Sequence, residues 1–479
     1  MVIGASVADI YPSAFVGRAR EAAATEWIEL QNKGPDPIDD LEISVSIPGL
    51  TTGAIASERR RVLPNEKVKV PVKIILDPAK LAEHDRDETS VLQLQLAYRV
   101  GDLNVRDTAR RAVTVFHRSA MSWSDPSSVA AFVTATSDGV QRLSRAIVQS
   151  MPADSRADPL ALAVALFAPL HGVAYVADPV NPFAATTVDY VQYPVQTVVR
   201  GAGDCDDLAV LYAALLEAVG LPALLVTTPG HIFVGIPTGS PASSLEAGIV
   251  DNSRALMQHE GRLYIPLDTS LTAGSFEAAW AEGAKQVAAA TKSKKLGVIV
   301  VRRAWIAHPP ADLSPPSERP PALSPVDRAQ IDGAVGQATA RMKQELERAL
   351  ADADARLVKR PEDPELLNRK GVALVSLGKL SEAEDVFTRS VKLGTASPGA
   401  SNNLGNLSLI GGNPAQALHW YDEAAQIKAP SDATRRYIAL NRLLAAWMED
   451  AGGPRFLELV LGASDDDLKA FYQDVNGGP

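Results

Sequence analysis

The N-terminal 120 residues show the hydrophobic pattern of β-strands. Apolar residues occupy every second position from 41 to 47 and again along much of 92–100, with polar residues between them. A period of two is typical of strands with one buried face. Turn-forming residues such as those at 32–35 separate the segments. We therefore predict a β-sandwich domain over residues 1–120.

The pattern changes after residue 120. Helical spacing of apolar residues runs from 125 to about 170, and a strongly apolar helix is predicted over 206–219, with Gly220 just past its end. Short apolar strands are predicted at 223–228, 231–236, 262–268 and 296–301. This mixture predicts an α+β domain over residues 121–307.

A proline-rich segment at 308–325 has no hydrophobic period. Such a composition is typical of a stiff, extended linker, and we predict a domain boundary there.

The chain beyond this linker is helical in pattern and repeats itself. Four residues recur 34 positions later: Gly371, Gly378, Ala383 and Phe387 return as Gly405, Gly412, Ala417 and Tyr421. A 34-residue period with small residues and one aromatic residue is typical of tetratricopeptide repeats. We predict an all-α repeat solenoid over 326–450 and a helical tail over 451–479. A generic array of helical hairpins is the alternative.

Composition narrows the classes of function. The net charge of −10 and the pI of about 5.3 argue against a general nucleic-acid binder. No apolar run is long enough for a membrane span. The N-terminus lacks the pattern of a signal peptide, so we expect a cytoplasmic protein from the chain as given, or a periplasmic or envelope protein if a leader was removed.

Cys205 is the only cysteine of the chain, which excludes an intramolecular disulfide and a multi-cysteine zinc site. It follows Asp204, a natural N-cap, and therefore lies in the first turn of the predicted helix. Unpaired backbone amides and the helix dipole favour a thiolate there. The sequence thus predicts an acidic, nucleophilic thiol, although the carboxylates of Asp204, Asp206 and Asp207 oppose its ionisation.

Two further residues complete a candidate triad. If the strands at 223–228, 231–236 and 262–268 form an antiparallel meander, the start of the second lies beside the end of the third. His231 and Asp268 then become neighbours. A cysteine, a histidine and a carboxylate in this arrangement supply a nucleophile, a base and a group that orients the base.

These segments resemble bacterial transglutaminase-like proteins. The residues that carry the resemblance are 190–197 (Tyr-Val-Gln-Tyr-Pro-Val-Gln-Thr), 203–209 (Gly-Asp-Cys-Asp-Asp-Leu-Ala), 230–233 (Gly-His-Ile-Phe) and 264–268 (Tyr-Ile-Pro-Leu-Asp). The resemblance covers about 165–290 and implies a papain-like α+β core. The N-terminal region is similar in pattern to the immunoglobulin-like modules beside bacterial envelope enzymes.

The resemblance also implies roles for individual residues. Cys205 would be the nucleophile, His231 the base and Asp268 the group that orients it. Gln196 would donate an N–H to an oxyanion together with the Cys205 amide, with Gln192 or Tyr193 as alternatives for Gln196.

A calcium site is a further implication. Some relatives are periplasmic calcium-dependent cysteine proteinases in which acidic residues beside the nucleophile bind the ion. Asp204 and Asp206 match those positions, and carboxylate oxygens suit calcium. We expect no other cofactor, and zinc is disfavoured because one histidine with three aspartates suits it poorly.

We therefore expect an enzyme that transfers an acyl group through a thioester on Cys205 of a protein or peptide substrate. It would be a protease or deamidase if water is the acceptor, and a transglutaminase if an amine is. We favour hydrolysis, because the sequence identifies no amine-binding surface. The repeats would recruit a protein partner. The alternative is an interaction scaffold with little or no turnover.

Overall fold

The chain forms three regions in sequence order: two β-sheets, a mixed α and β centre, and a helical C-terminal region. The computed structural model describes residues 2–6, 9–16, 24–153, 155–177, 188–241, 256–260, 262–314, 328–393, 398–427, 432–450 and 453–463.

The N-terminal region consists of two four-stranded antiparallel sheets, ordered β1-β2-β6-β4 and β5-β3-β7-β8. Their strands are β1 Val2–Ser6, β2 Ala24–Gln31, β3 Ile38–Ser46, β4 Thr51–Ala54, β5 Arg60–Val62, β6 Lys67–Leu76, β7 Glu88–Val100 and β8 Leu103–Val115. Two short helices accompany them, α1 Pro12–Val16 and α2 Pro78–Ala82. Alternate residues of β3 and β7 are buried, and both sheets contribute to one hydrophobic cluster. The predicted strand pattern is confirmed.

The central region contains a five-stranded antiparallel sheet in the order β15-β16-β14-β13-β17. Its strands are β13 Leu224–Thr228, β14 His231–Pro241, β15 Met257–His259, β16 Arg262–Leu267 and β17 Gly297–Val300. β14 pairs with both β13 and β16, which is the predicted meander. The register aligns Val234 with Leu267 and so brings the start of β14 beside the end of β16.

Helices complete the centre, and some of them pack directly on this sheet. They are α3 Asp138–Ser150, α4 Pro159–Phe167, α5 Pro194–Arg200, α6 Cys205–Ala218, α7 Phe276–Lys292 and α8 Val301–Ala307. Two small strand pairs join β9 Ala120–Ser122 to β11 Val188–Tyr190, and β10 Ala174–Tyr175 to β12 Ala202–Gly203. α6 is buried on nearly every side because it lies between the sheet and the other helices.

The C-terminal region is helical, as predicted. Its helices are α9 Arg328–Lys359, α10 Pro364–Ser376, α11 Leu380–Lys392, α12 Pro398–Ile410, α13 Pro414–Gln426, α14 Asp432–Glu449 and α15 Pro454–Gly462. The predicted tail is described only as far as 463. Within the described residues, every helix is too short or too polar to cross a bilayer.

The 34-residue repeat has a packing basis. A Cβ atom on Gly371 would overlap the ring of Phe387, and one on Gly405 would overlap the ring of Tyr421 in the same way. α10 packs on α11, and α12 packs on α13. Each glycine therefore lets one helix approach an aromatic residue of the next.

The helical region packs directly on the centre. Ile331 and Ala338 of α9 belong to the same hydrophobic cluster as α4 and α6. The Arg341 guanidinium lies 4.6 Å from the centroid of the Trp280 ring on α7. Of the predicted linker, the structure describes 308–314, where Leu313 is buried in that cluster; the rest, 315–325, lies outside the described residues.

Candidate active site

Cys205 is the first residue of α6, which begins one residue before the predicted start at 206; the thiol lies in the first turn, as the sequence predicts. Asp204 is extended and caps the helix: its carboxylate accepts the Asp207 N–H, and the Asp207 side chain accepts the Asp204 N–H. This reciprocal capping fixes the first turn and with it the position of the thiol. The thiol is buried and lies against the backbone N–H of Ile232 in β14. The residue before Ile232 is His231.

His231 and Asp268 form the predicted pair, with 3.1 Å between His231 Nε2 and Asp268 Oδ1. Burial opposes ionisation of Asp268, but hydrogen bonds from His231 and Ser270 outweigh it and hold the carboxyl pKa below its usual value. An ionised carboxylate only accepts hydrogen bonds, so Nε2 carries the proton. In a neutral imidazole, Nδ1 then has a free lone pair and is the nitrogen that can accept a proton.

Two residues that the sequence did not indicate hold Asp268 in place. The Ser270 hydroxyl donates to Oδ1 at 2.6 Å, and Gln286 Nε2 on α7 donates to Oδ2 at 2.7 Å. Both carboxylate oxygens are therefore occupied, which restricts rotation of the group. Gln286 has no sequence signal of its own, since a glutamine on an amphipathic helix is ordinarily a solvated residue.

The expectation of an acidic thiol is wrong for this structure. Burial, followed by the charge of Asp204, raises the Cys205 pKa to about 12. The N–H groups of Ile232 and of Cys205 itself favour the thiolate but do not offset these effects. The helix N-terminus stabilises the thiolate less than predicted, because carboxylates in the same turn favour the neutral thiol.

Acidic side chains crowd the start of α6. Ligand atoms of Asp204, Asp206 and Asp207 lie within 4.8 Å of one another, and all three residues are buried. Burial and then its acidic neighbours raise the Asp206 pKa well above the usual value. Asp206 Oδ2 is buried and receives no hydrogen bond from a donor among the described residues. Its neighbours include the carboxyl groups of Asp204 and Asp189. This oxygen needs either a shared proton or a cation.

Asp207 differs from the other two carboxylates because it is already well satisfied. Its Oδ1 accepts the Gln192 backbone N–H at 2.6 Å, and its Oδ2 accepts the Gln192 side-chain amide. Burial and the charge of Asp204 nevertheless raise its pKa to about 7. Asp204 and Asp206, the two predicted calcium ligands, therefore have more free acceptor capacity than Asp207, and an oxygen-only donor set suits calcium.

Gln196 has the free donor that an oxyanion site needs. Its side chain is fully buried in α5, which packs on α6, and Oε1 accepts the Tyr193 N–H at 3.1 Å. Its Nε2 has no hydrogen-bond partner among the described residues. The alternatives are already engaged: Gln192 donates to Asp207 and to the Ala202 carbonyl, and the Tyr193 hydroxyl donates to the Arg118 carbonyl at 3.4 Å. Of the three residues, Gln196 is the one whose side chain keeps an unbonded N–H donor within the described part of the chain.

Trp123 and Asp189 are also missed by sequence reasoning. Trp123 Nε1 donates to Asp189 Oδ2 at 2.6 Å, and Asp189 reaches Asp206 from β11. β11 is held by its antiparallel pairing with β9. Both strands are only three residues long, too short for hydrophobic periodicity to reveal.

A cleft of about 700 Å³ opens beside His231 and Asp268. Its walls are the β13–β14 turn, the segment after β16 and one face of α7. The residues that line it are Thr228, Pro229, Gly230, His231, Asp268, Ser270, Leu271, Glu282, Gln286, Ala289, Ala290 and Ser293. Cys205 is not among them, so the cleft lies on the histidine side of the site.

Comparison with known proteins gives no match: neither a family model, nor a curated protein, nor a solved structure is significantly similar to this chain.

Proposed function

We propose that this protein is a transglutaminase-like cysteine hydrolase that acts on amide bonds of protein or peptide substrates. The observation that carries the proposal is the His231–Asp268 pair, with 3.1 Å between its atoms, next to the Ile232 amide that contacts the Cys205 thiol. Chemistry of this kind needs a nucleophile, a base beside it and a group that orients the base.

The reaction begins with a neutral thiol, in keeping with its raised pKa. The Cys205 proton moves to His231 Nδ1 as the sulfur attacks the amide carbon, and a tetrahedral oxyanion forms. Gln196 Nε2 and the Cys205 N–H donate hydrogen bonds to that oxygen. His231 returns the proton to the departing amine, which leaves a thioester on Cys205.

Hydrolysis of the thioester reuses the same groups. His231 takes a proton from water as the water oxygen attacks the thioester carbon. The carbon–sulfur bond then breaks, and the imidazolium returns the proton to the sulfur. The products are a carboxylic acid and the restored thiol. Asp268 stays ionised throughout and stabilises the imidazolium that forms in each half of the reaction.

Calcium would be held by Asp204 and Asp206, because these carboxylates have free acceptor capacity and one buried oxygen has no donor. When bound, the ion would supply positive charge that offsets the effect of Asp204 on the thiol. Asp204 would still cap α6, and Asp206 would still lie beside the carboxyl groups of Asp204 and Asp189.

The arrangement of the three regions suits an enzyme whose helical region brings a protein substrate to the core. We infer an immunoglobulin-like N-terminal sandwich, a papain-like core and C-terminal tetratricopeptide repeats that bind a protein partner. Repeat arrays present extended concave surfaces suited to peptides. The packing of α9 on α4 and α7 would hold such a surface in a fixed relation to the core.

Incubation with a peptide library derived from a bacterial proteome tests this function. Mass spectrometry reads three products: new N-termini from proteolysis, carboxyl groups from deamidation, and cross-links to an added amine. We expect Cys205-dependent hydrolysis and a loss of about 100-fold or more in His231→Ala, the usual effect of removing a general base. Identical product profiles for the wild type and Cys205→Ala would rule out the proposal.

A non-catalytic scaffold is the second candidate, favoured by the buried thiol whose pKa is raised to about 12. A pull-down with Cys205→Ala separates the two. An enzyme should retain substrate on this variant more strongly than on the wild type, whereas a scaffold should bind both equally.

A further inference from the structure

The proposed chemistry assigns no role to the cleft beside His231. It has a volume of about 700 Å³ and includes His231 and Asp268 in its lining but not Cys205. The side chain of His231 is partly exposed, whereas that of Asp268 is almost fully buried. A molecule in the cleft therefore meets the imidazole first.

The position of the cleft identifies the part of a substrate that would enter it. In amide hydrolysis through a thioester, the acyl group stays with the sulfur, and the amine departs with the proton from the histidine. The amine side of the reacting bond must therefore lie near His231. A cleft that meets His231 without reaching Cys205 suits the leaving group rather than the acyl group.

The dimensions of the cleft suit an extended peptide. Gln286 and Ser293 line it seven residues apart on and just beyond α7. At 1.5 Å per residue this is about 10 Å, or about three residues of extended chain. Four of the twelve lining residues are small, namely Gly230, Ala289, Ala290 and Ser293. These small side chains leave room for a backbone to lie along the helix.

Charge differs along the cleft. Near His231, the Glu282 carboxylate is paired with Lys285 at 3.0 Å, and Asp268 is paired with His231. At the outer end, Ser293 lies between exposed lysines, Lys292 on one side and Lys294 and Lys295 on the other. Within the described residues, no lysine or arginine lines the cleft itself, so these lysines lie beside its outer end. The outer end is therefore the positively charged one.

We propose that this cleft binds the leaving-group side of a polypeptide substrate as an extended segment of about three residues, followed by acidic residues that face the outer lysines. The assignment rests on the proposed function, because it is the His231 chemistry that gives the cleft its direction. If a peptide chain occupies the cleft, the leaving group is an amine of that chain and not ammonia. The preferred reaction is then cleavage of a peptide bond rather than deamidation.

Binding of product-like peptides tests the assignment without turnover. The probes are two pentapeptides with a free N-terminus, Ala-Ala-Ser-Glu-Glu and Ala-Ala-Ser-Lys-Lys, each with a fluorophore on the C-terminal carboxamide. Fluorescence anisotropy is measured with full-length Cys205→Ala protein at low salt. We expect the acidic peptide to bind about fivefold more tightly than the basic one, the effect of one favourable exposed ion pair, and the difference to shrink as salt rises.

Two matched pairs of variants locate the binding. Ala288 and Ala289 are adjacent exposed residues of α7, but only Ala289 lines the cleft. Ala289→Trp should abolish binding of the acidic peptide, whereas Ala288→Trp should leave it unchanged. Lys295→Glu should remove the preference for the acidic peptide, whereas Lys343→Glu on α9, which makes the same change in net charge, should keep it. Circular dichroism verifies the fold of each variant.

The outcomes separate this inference from the proposed function. Equal binding by folded Ala288→Trp and Ala289→Trp, or a preference for the basic peptide, would overturn the assignment even if the library assay shows hydrolysis. Cleft-dependent binding of the acidic peptide supports the assignment even if that assay shows no Cys205-dependent product.

Discussion

At the scale of single residues, the sequence predicts which side chains meet better than it predicts their pKa values. His231 and Asp268 could be paired from sequence because a strand start and a strand end meet in an antiparallel meander, and their atoms lie 3.1 Å apart. The Cys205 pKa could not be predicted in the same way. The sequence shows the opposing charge of the adjacent Asp204, but it does not show the burial of the thiol, which is the larger cause of the raised pKa.

The Asp204 charge can be removed without removing its cap. Asp204→Asn keeps an N-cap of equal quality but takes away the second-largest cause of the raised thiol pKa. We expect iodoacetamide to label Cys205 faster at pH 8, by about tenfold for each unit of pKa that is lost. Cys205 is the only thiol, so mass spectrometry gives its rate directly.

Asp158→Asn is the matched control for that change. Asp158 caps α4, where its carboxylate accepts the N–H groups of Leu160 and Ala161. The control should label like the wild type. Slower or unchanged labelling in Asp204→Asn would show that burial alone sets the pKa.

The orphan oxygen of Asp206 predicts an effect of calcium on stability. An ion that binds the folded state and not the unfolded state raises the melting temperature. We expect millimolar calcium to raise the wild-type melting temperature, and Asp206→Asn to remove the increase. Magnesium should act more weakly because it favours a smaller octahedral shell. A melting temperature independent of calcium would refute the predicted site, and differential scanning fluorimetry gives the readout.

At the scale of elements, long periodic segments are the predictable ones. β3 and β7 can be predicted from spacing because each buries side chains at every second position. α6 can be predicted from its N-cap and its long run of apolar residues. The paired strands β9 and β11, three residues each, were not recognised. Their pairing depends on contacts between segments about seventy residues apart, which no local pattern records.

The repeat glycines give a prediction about helix packing. Gly405→Ala places a methyl group against the Tyr421 ring and should destabilise the helical region by about 1–3 kcal/mol, the usual cost of overpacking. Gly336→Ala on α9 meets no atom within 4 Å and should be neutral or stabilising by up to about 1 kcal/mol. Urea unfolding measures both changes. Equal effects of the two substitutions would show that Tyr421 does not set the helix spacing.

At the scale of the whole molecule, the junction between the sheets and the centre contains a half-buried histidine, His117. The Ser119 N–H donates to His117 Nδ1 at 3.0 Å, which requires an unprotonated nitrogen. Burial, and then the Arg118 charge, lowers the His117 pKa from 6.5 to about 4. The Tyr190 hydroxyl crosses the same junction and donates to Asp87 at 2.6 Å.

This histidine should make stability depend on pH. Between pH 6.5 and 4 the unfolded chain binds the proton that the folded chain excludes, so the contribution of His117 to stability is lost as the pH falls through that window. His117→Asn keeps an acceptor for the Ser119 N–H but does not titrate. We expect its free energy of unfolding to fall less between pH 7 and pH 4.5 than that of the wild type. An equal fall in both proteins would contradict the assignment.

The division of the hydrophobic core predicts how the molecule unfolds. The two N-terminal sheets share one cluster, whereas a second cluster joins α4 and α6 to α9, α10 and α12. The centre and the helical region should therefore unfold together, and the sheets separately, so calorimetry should show two transitions. Leu94→Ala empties a fully buried site between the sheets and should lower only one of them, by the several degrees that correspond to about 2–5 kcal/mol. Ile331→Ala on α9 should lower only the other, and a third transition that responds to Ile331→Ala alone would mean that the helical region is an independent unit.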